Sequence, residues 1–342
     1  MRFTVPTIVS MMTAVLLTGC SLFPQGPDQA ERDRWSRVIE TALEALPGVD
    51  DASHTFQYHP YGPNSYYTSR LVVRLEDDTT PAETATVVRV MGAQQLPPHY
   101  QGDSTMFEIH RMTDSFSGDW RFGRNMDVEA NAAYTWTRVS AAGTGAEIHW
   151  DTPGFTATGE GGGRTESISV RAGSEAEPQR ATAAMRRIIQ DFPELASSNW
   201  TVSTVHGESM SEVYSRLAPS PTHSDRRPRF PSTDELELWE WFLTDQPTPF
   251  FAEVSVFDPP DTAGRTLGVM VFPPTGEKFG AAQATQLADR HLPHLARPGA
   301  VVDYTIVTRE GPRFAVLVGG CPASQREVAP ESEPFARRYE RC

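Results

Sequence analysis

Hydrophobic positions recur along this chain with two alternating periods, one typical of helices and the other of strands. The first helical run carries Ile39, Leu43 and Leu46 on one side, and it stops at Pro47 and Gly48. In residues 66–75, by contrast, apolar and polar side chains largely alternate. Such a strand has one face toward a core and one polar face. The chain therefore begins as a helix followed by strands of a half-buried sheet.

Capping patterns indicate where further helices begin. An N-cap residue followed three positions later by glutamate occurs at Asp28, Ser174 and Ser232, and at Thr80 a proline follows the cap directly. These patterns and the apolar stripes predict helices that begin near residues 28, 80, 127, 174 and 233, and a sixth over 281–295.

Two strands are predicted after each helix. The predicted pairs are 52–58 and 66–75, 105–112 and 119–123 (with a turn at 113–118), 146–150 and 164–171, 200–206 and 211–216, 250–257 and 266–272, and 301–308 and 313–318. The order α-β-β-α-β-β thus occurs three times, with a domain-sized period of about 100 residues. This order is a circular relative of the split βαβ, or ferredoxin-like, arrangement. We therefore predict an α+β fold of three tandem αββαββ units, with antiparallel sheets and helices on one face.

The N-terminal segment has the features of an export signal. Arg2 precedes an apolar run that ends at Leu17, and this run is shorter than the roughly 20 residues that cross a bilayer. The small residues Thr18 and Gly19 then precede Cys20. Residues 17–20 resemble the lipobox of bacterial lipoproteins, and the resemblance covers residues 1–20 only. It implies cleavage before Cys20 and a lipid on its sulfur; an ordinary signal peptide with an incidental cysteine is the alternative.

These observations divide the chain into six segments. They are a signal peptide (1–19), a lipidated tether (20–27), a first unit (28–126), a second unit (127–218), a linker rich in proline and arginine (219–231) and a third unit (232–342).

The charge of the chain restricts its partners. There are 44 acidic and 30 basic residues, which gives a net charge of −14. A surface of this sign repels polyphosphates and anionic headgroups, so we expect no nucleic-acid partner. We expect attachment to the membrane through the lipid on Cys20 instead.

Three cysteines allow a simple assignment once Cys20 is taken by lipid. Cys321 and Cys342 then remain in an oxidising compartment, where two thiols usually form a disulfide. The alternative is a pair of reactive thiols. A bridge between them would attach the C-terminal tail to the third unit.

Several polar groups could in principle form metal or catalytic sites. His291 and His294, near Asp289, would lie on adjacent turns of a helix, but zinc sites need three or four ligands. We interpret His291 as part of the apolar stripe and His294 as a residue suited to the helix end. His54 and His59 flank a predicted strand and carry less weight.

Other loops offer weaker signals. Residues 159–163 are rich in glycine but lack the lysine of a phosphate-binding loop, so we interpret them as a hairpin tip. The acids Asp258 and Asp261, and those at 76–78, could bind calcium or act on a glycoside, but solvated loop charge is the preferred interpretation. We predict no catalytic residue, no metal site and no cofactor.

The most unusual local composition lies at the first hairpin. Residues 58–67 include Tyr58, Tyr61, Tyr66 and Tyr67 together with two prolines and a glycine. Tyrosines on loops are typical of recognition surfaces, because they contribute large contact area at little entropic cost. The alternative is that they only cover the end of the sheet.

The leading hypothesis is a non-catalytic, lipid-anchored protein on the extracytoplasmic face of the cell membrane, which binds or holds an envelope protein or polymer. Its rival is a solute-binding lipoprotein of a transporter, although paired strands disfavour the parallel sheets usual in that class. An envelope hydrolase is the third hypothesis.

Overall fold

The computed structural model describes residues 29–59, 66–97, 100, 104–120, 122–142, 145–152, 166–172, 178–204, 215–219, 229–244, 249–257, 260, 264–274, 277–297, 299–308, 313–322 and 328–342. Seven α-helices lie in these ranges: α1 (Gln29–Glu44), α2 (Pro81–Ala93), α3 (Asp127–Ala141), α4 (Pro178–Asp191), α5 (Thr233–Thr244), α6 (Ala281–Leu295) and α7 (Glu333–Tyr339). The strands are β1 (Val49–His59), β2 (Tyr66–Leu75), β3 (Ser104–Arg111), β4 (Asp114–Asp119), β5 (Glu147–Asp151), β6 (Ser167–Ala172), β7 (Asn199–Thr204), β8 (Arg216–Pro219), β9 (Phe251–Val256), β10 (Leu267–Phe272), β11 (Val302–Ile306) and β12 (Phe314–Val318).

All twelve strands belong to one sheet, and their order in the sheet is their order in the chain. Strands that follow one another without a helix pair antiparallel, as β1 does with β2. Strands separated by a helix pair parallel, as β2 does with β3, because the helix returns the chain to the starting end of the sheet. The prediction of antiparallel sheets is therefore wrong, and the fold is a mixed α/β sheet. Eleven spacings of about 4.8 Å give it a width of roughly 50 Å.

The smallest repeat is one helix followed by two strands. This order occurs six times, from α1-β1-β2 to α6-β11-β12. Parallel pairing of β4 with β5 and of β8 with β9 continues the sheet from each predicted unit into the next. In a split βαβ arrangement another strand separates the two parallel strands, whereas here they are direct neighbours. The ferredoxin-like relation therefore remains a prediction from element order alone.

Helices cover one face of the sheet. Alternate strand positions such as Leu71, Val73, Ile168 and Val170 are fully buried, and they share one core with the apolar stripes of the helices. The indole of Trp136 in α3, for example, lies 5.7 Å from the ring of Phe116 in β4. The positions between them are mainly polar and partly exposed. We call this second surface the open face.

One predicted strand is misplaced. The pattern predicts a turn at 113–118 and a strand at 119–123, but β4 runs over Asp114–Asp119. The chain turns at Met112 and Thr113, and Met112 adopts a φ of 53° in the left-handed region. Ser115 and Ser117 look like turn residues, yet they lie on the open face, where a strand accepts small polar side chains.

Candidate binding site at the first sheet edge

The last strand of the sheet has a covered edge. The backbone N–H of Ala315 in β12 donates to Ser332 Oγ at 3.2 Å, and that of Leu317 donates to Glu340 Oε1 at 3.0 Å. Both acceptors belong to the C-terminal segment that contains α7. Covering the edge in this way prevents another strand from pairing with it.

The first strand is different. The N–H of His54 donates to Glu40 Oε1 of α1 at 2.8 Å, so it points away from β2. Because N–H groups alternate in direction along an antiparallel strand, those of Ala52 and Phe56 point the same way. In the part of the chain that the structure describes, neither of these two groups has a hydrogen-bond partner on that side. We call this side of β1 the open edge.

The sequence of β1 does little to protect this edge. Residues 52–59 contain no lysine, arginine, aspartate, glutamate or proline, which are the residues that usually block strand pairing. The only irregularity in the pairing of β1 with β2 lies at the start, between Val49 and Asp51. This stretch therefore lacks blocking residues of its own, and Glu40 occupies only the outward N–H of His54 within it.

A group of aromatic rings lies beside the open edge, on the helix-covered face. We call it the hairpin cluster; its members are His54, Phe56, Tyr58, Tyr67, Tyr100, Trp120 and Phe122. Ring centroids are 4.5 Å apart for His54 and Phe56, and 5.1 Å apart for both Phe56–Tyr100 and Tyr58–Tyr67. These separations lie in the favourable range for aromatic pairs. Packing within the cluster therefore holds the rings of His54, Phe56 and Tyr58, which border the open edge, in place.

The hairpin cluster contains polar atoms that the described residues leave unsatisfied. His54 Nε2, Tyr67 Oη, Trp120 Nε1 and the neighbouring Ser69 Oγ are buried without a hydrogen-bond partner in the described part of the chain. Each such atom costs about 1–3 kcal/mol, so native proteins keep few of them. Their concentration at the first hairpin singles this region out from the rest of the core.

A cavity of about 280 Å³ lies between α1 and β1. Arg32, Arg37, Asp33, Glu40 and His54 line it. Its two carboxylates already accept hydrogen bonds, Glu40 from the backbone of His54 and Asp33 from the Gln29 amide at 2.7 Å. The cavity therefore presents two guanidinium groups and two carboxylates, and each carboxylate keeps a further oxygen that can accept hydrogen bonds.

His54 and Ser36 form a polar contact in the wall of this cavity. Ser36 Oγ lies 3.1 Å from His54 Nδ1, and burial lowers the pKa of His54 from 6.5 to about 4. A general base works best when its pKa is near the operating pH. A histidine with so low a pKa is a weak base at neutral pH, and no described residue orients its other ring nitrogen. The pair is better suited to packing or ligand contact than to activating a nucleophile.

A second serine–histidine contact lies on the open face. Ser115 Oγ is 2.6 Å from His149 Nδ1, and Glu147 is 3.4 Å from His149 Nε2. Burial and the charge of Arg171 lower the pKa of His149, although Glu147 opposes them. Ser169 continues the same row across the sheet. We interpret this row as part of a polar sheet surface.

The tyrosines predicted at the first hairpin divide between its two faces. Tyr58 and Tyr67 belong to the hairpin cluster, and Tyr67 is buried. Tyr66 lies on the open face and stacks on His59, with ring centroids 4.8 Å apart. Tyr61 lies outside the described residues. No local pattern indicates Tyr100, Trp120 and Phe122, which belong to later segments and pack into the cluster.

The structure describes two of the three cysteines. The sulfur atoms of Cys321 and Cys342 lie at disulfide distance, with Cα atoms 4.8 Å apart, as predicted. Cys20 and the rest of the predicted lipobox lie outside the described residues.

The two histidines of α6 have partners of their own. His291 is buried, with Nδ1 2.7 Å from Tyr304 Oη, and His294 stacks on Trp241 at 4.1 Å. Among the described residues, no group of three or more His, Cys, Asp or Glu side chains could hold a metal ion. Residues 159–163, Asp258 and Asp261 lie outside those ranges.

Within the same ranges, none of the helices has the length and apolar character needed to cross a bilayer. Comparisons of the chain with protein-family models, curated proteins and solved structures found no significant match.

Proposed function

We propose that this chain is a non-catalytic, lipid-anchored binding protein of the cell envelope, and that its partner pairs with the open edge of β1. The observation that carries this proposal is the difference between the two ends of the sheet. The edge of β12 is covered by the chain itself, whereas β1 keeps outward backbone donors at Ala52 and Phe56. Because an unpaired edge can accept another strand, the open edge of β1 is suited to binding an extended segment.

The partner that fits such an edge is an extended peptide segment of another envelope protein. Strand addition derives affinity from main-chain hydrogen bonds and specificity from side-chain pockets beside the edge. The hairpin cluster supplies aromatic surface on one side of β1, and Thr55 and Gln57 supply polar contacts on the open face. A net charge of −14 favours a segment that is neutral or basic.

The position of the open edge agrees with the proposed anchor. Eight residues lie between Cys20 and the start of α1 at Gln29, and the nine Cα–Cα steps across them reach roughly 30 Å at most. Because α1 packs against β1, the open edge would lie close to the membrane and to partners held there.

A second candidate function is solute binding, which the cavity between α1 and β1 favours. Arg32 and Arg37 in its wall would suit a small carboxylate, and Asp33 and Glu40 beside them would suit a positive group on the same solute. The cavity of about 280 Å³ is close to the smallest ligand pockets, which begin near 300 Å³.

Site-specific cross-linking in intact membranes tests the main proposal. A photoreactive residue at Gln57, on β1, should give one reproducible adduct, and the same residue at Thr201, on the central strand β7, should not. Ala52→Pro should abolish the adduct, because it removes an outward donor at an edge position that tolerates proline; its circular dichroism should match that of the wild type. Equal adducts from both positions, or an adduct unaffected by Ala52→Pro, would contradict strand pairing.

The anchor is tested separately. The wild-type chain should incorporate labelled palmitate and sediment with membranes, whereas Cys20→Ser should do neither. A wild-type chain recovered without lipid would refute the anchor and leave the edge proposal standing.

A further inference from the structure

A second cavity, near the C-terminal segment, is lined by several positively charged side chains. This cavity has a volume of about 230 Å³, and Arg297, Arg338 and Arg341 line it together with Gly319 and Tyr339. No acidic side chain belongs to its described lining. In a chain of net charge −14, three arginines around one small cavity are a marked local exception.

The three arginines come from two parts of the chain. Arg297 follows α6, Arg338 lies in α7, and Arg341 follows α7. Backbone hydrogen bonds hold the tail in place, since Gly319 N–H donates to Tyr339 O and Arg341 N–H donates to Gly320 O, both at 2.9 Å. The disulfide between the last residue and Cys321 attaches the same tail covalently. The arrangement is therefore fixed by the fold.

The charges of these arginines are not neutralised within the described structure. None of the three forms an ion pair with a described carboxylate, although Arg297 Nε donates to the backbone of His294 at 3.3 Å. Arg338 lies 5.2 Å from the ring centroid of Tyr339, which restricts its position. The adjacent Arg337 is different, because it pairs with Glu333.

We propose that this cavity binds a phosphate group. Guanidinium groups match the oxygens of phosphate with paired hydrogen bonds, and three positive charges suit a dianion better than a single carboxylate. The cavity is smaller than typical pockets for whole ligands, which start near 300 Å³, so it fits one anionic group of a larger molecule or a small phosphate ester. The site lies by the covered edge of the sheet, and it does not depend on the function proposed for the open edge.

Calorimetric titration of the purified full-length chain with inorganic phosphate at low ionic strength tests the site. Saturable binding of one phosphate per chain is expected. Arg338→Gln and Arg341→Gln should each weaken it at least tenfold, whereas Arg337→Gln, which removes the same charge one residue away, should change it less than twofold. Thermal unfolding of each variant checks that the exposed substitutions leave the fold intact.

Two phosphate sources are then compared by the same method. Glycerol 3-phosphate represents a free phosphate ester, and monomeric dihexanoyl phosphatidylglycerol represents a lipid headgroup. Tighter binding of either one supports the site and identifies its source. Absence of saturable binding to all three probes, or equal weakening by Arg337→Gln and Arg338→Gln, would overturn the proposal.

Discussion

Burial of His54 should make the stability of this protein depend on pH. The side chain is 4% exposed, and burial lowers its pKa from 6.5 to about 4. Above pH 6.5 the histidine is neutral in both the folded and the unfolded chain. Between pH 6.5 and 4 the unfolded chain binds a proton that the folded chain does not. The free energy of unfolding should therefore fall as the pH falls through this window.

The size of the effect follows from the two pKa values. A difference of about 2.5 between 6.5 and about 4 corresponds to about 3 kcal/mol, at roughly 1.4 kcal/mol per pKa unit. This loss is complete only below pH 4. At pH 5.0 the chain should already have lost about 2 kcal/mol relative to pH 7.5.

Urea unfolding of the wild type and of His54→Gln at pH 7.5 and pH 5.0 measures this contribution. Glutamine cannot be protonated in this range, and every other titrating group is common to both proteins, so their effects cancel. The wild type should lose about 2 kcal/mol more than the variant between the two pH values. An equal loss in both proteins, or a His54 pKa near 6.5 by NMR, would refute the reasoning.

Three further predictions concern stability. Trp239 is fully buried, so Trp239→Ala should cost about 3–5 kcal/mol in urea unfolding; a loss below about 1 kcal/mol would contradict its place in the core. Gly118→Ala should lower the free energy of unfolding by about 1–3 kcal/mol, because a Cβ there would overlap Thr152 Oγ1. Adding Thr152→Ser to this variant should not restore the lost stability, since serine keeps the hydroxyl. Reduction of the bond between Cys321 and Cys342 should lower the stability by about 3 kcal/mol, and a control with both cysteines replaced by serine should not respond to reductant.

Local elements of this fold can be predicted from sequence because their signals are local. The sixth helix is predicted at 281–295 and lies at Ala281–Leu295, and the second strand is predicted at 66–75 and lies at Tyr66–Leu75. Helical spacing, alternation and capping residues are all present within these segments. Strand β4 was misplaced because its serines and glycine look like turn residues when the polar open face is unknown.

The sheet and the candidate sites depend on pairings that no local pattern contains. Ser115 of β4 pairs with His149 of β5, although α3 separates the two strands in the chain. The sequence of neither strand indicates which strand it pairs with. Among the described strands, β1 lies at one end of a continuous sheet, and nothing within β1 itself shows that its outer side lacks a neighbouring strand. Likewise, Arg297 and Arg341 line the same cavity only once α6 and the C-terminal tail have packed together. The composition of residues 58–67 indicates the first hairpin, but no local pattern indicates that Tyr100, Trp120 and Phe122 pack beside it.

Sequential strand order has a consequence for how the chain is made. Each described strand pairs only with the strands next to it in the chain, so a unit can dock on its predecessor as soon as it emerges during synthesis. At each stage the most recently added strand has an unpaired edge, with which the next strand can pair. Because Ser332 and Glu340 cover the outer side of β12, a chain truncated before Ser332 ends in an exposed strand prone to aggregation. The segment from Ser332 to Glu340 thus prevents a further strand from adding at this end of the sheet.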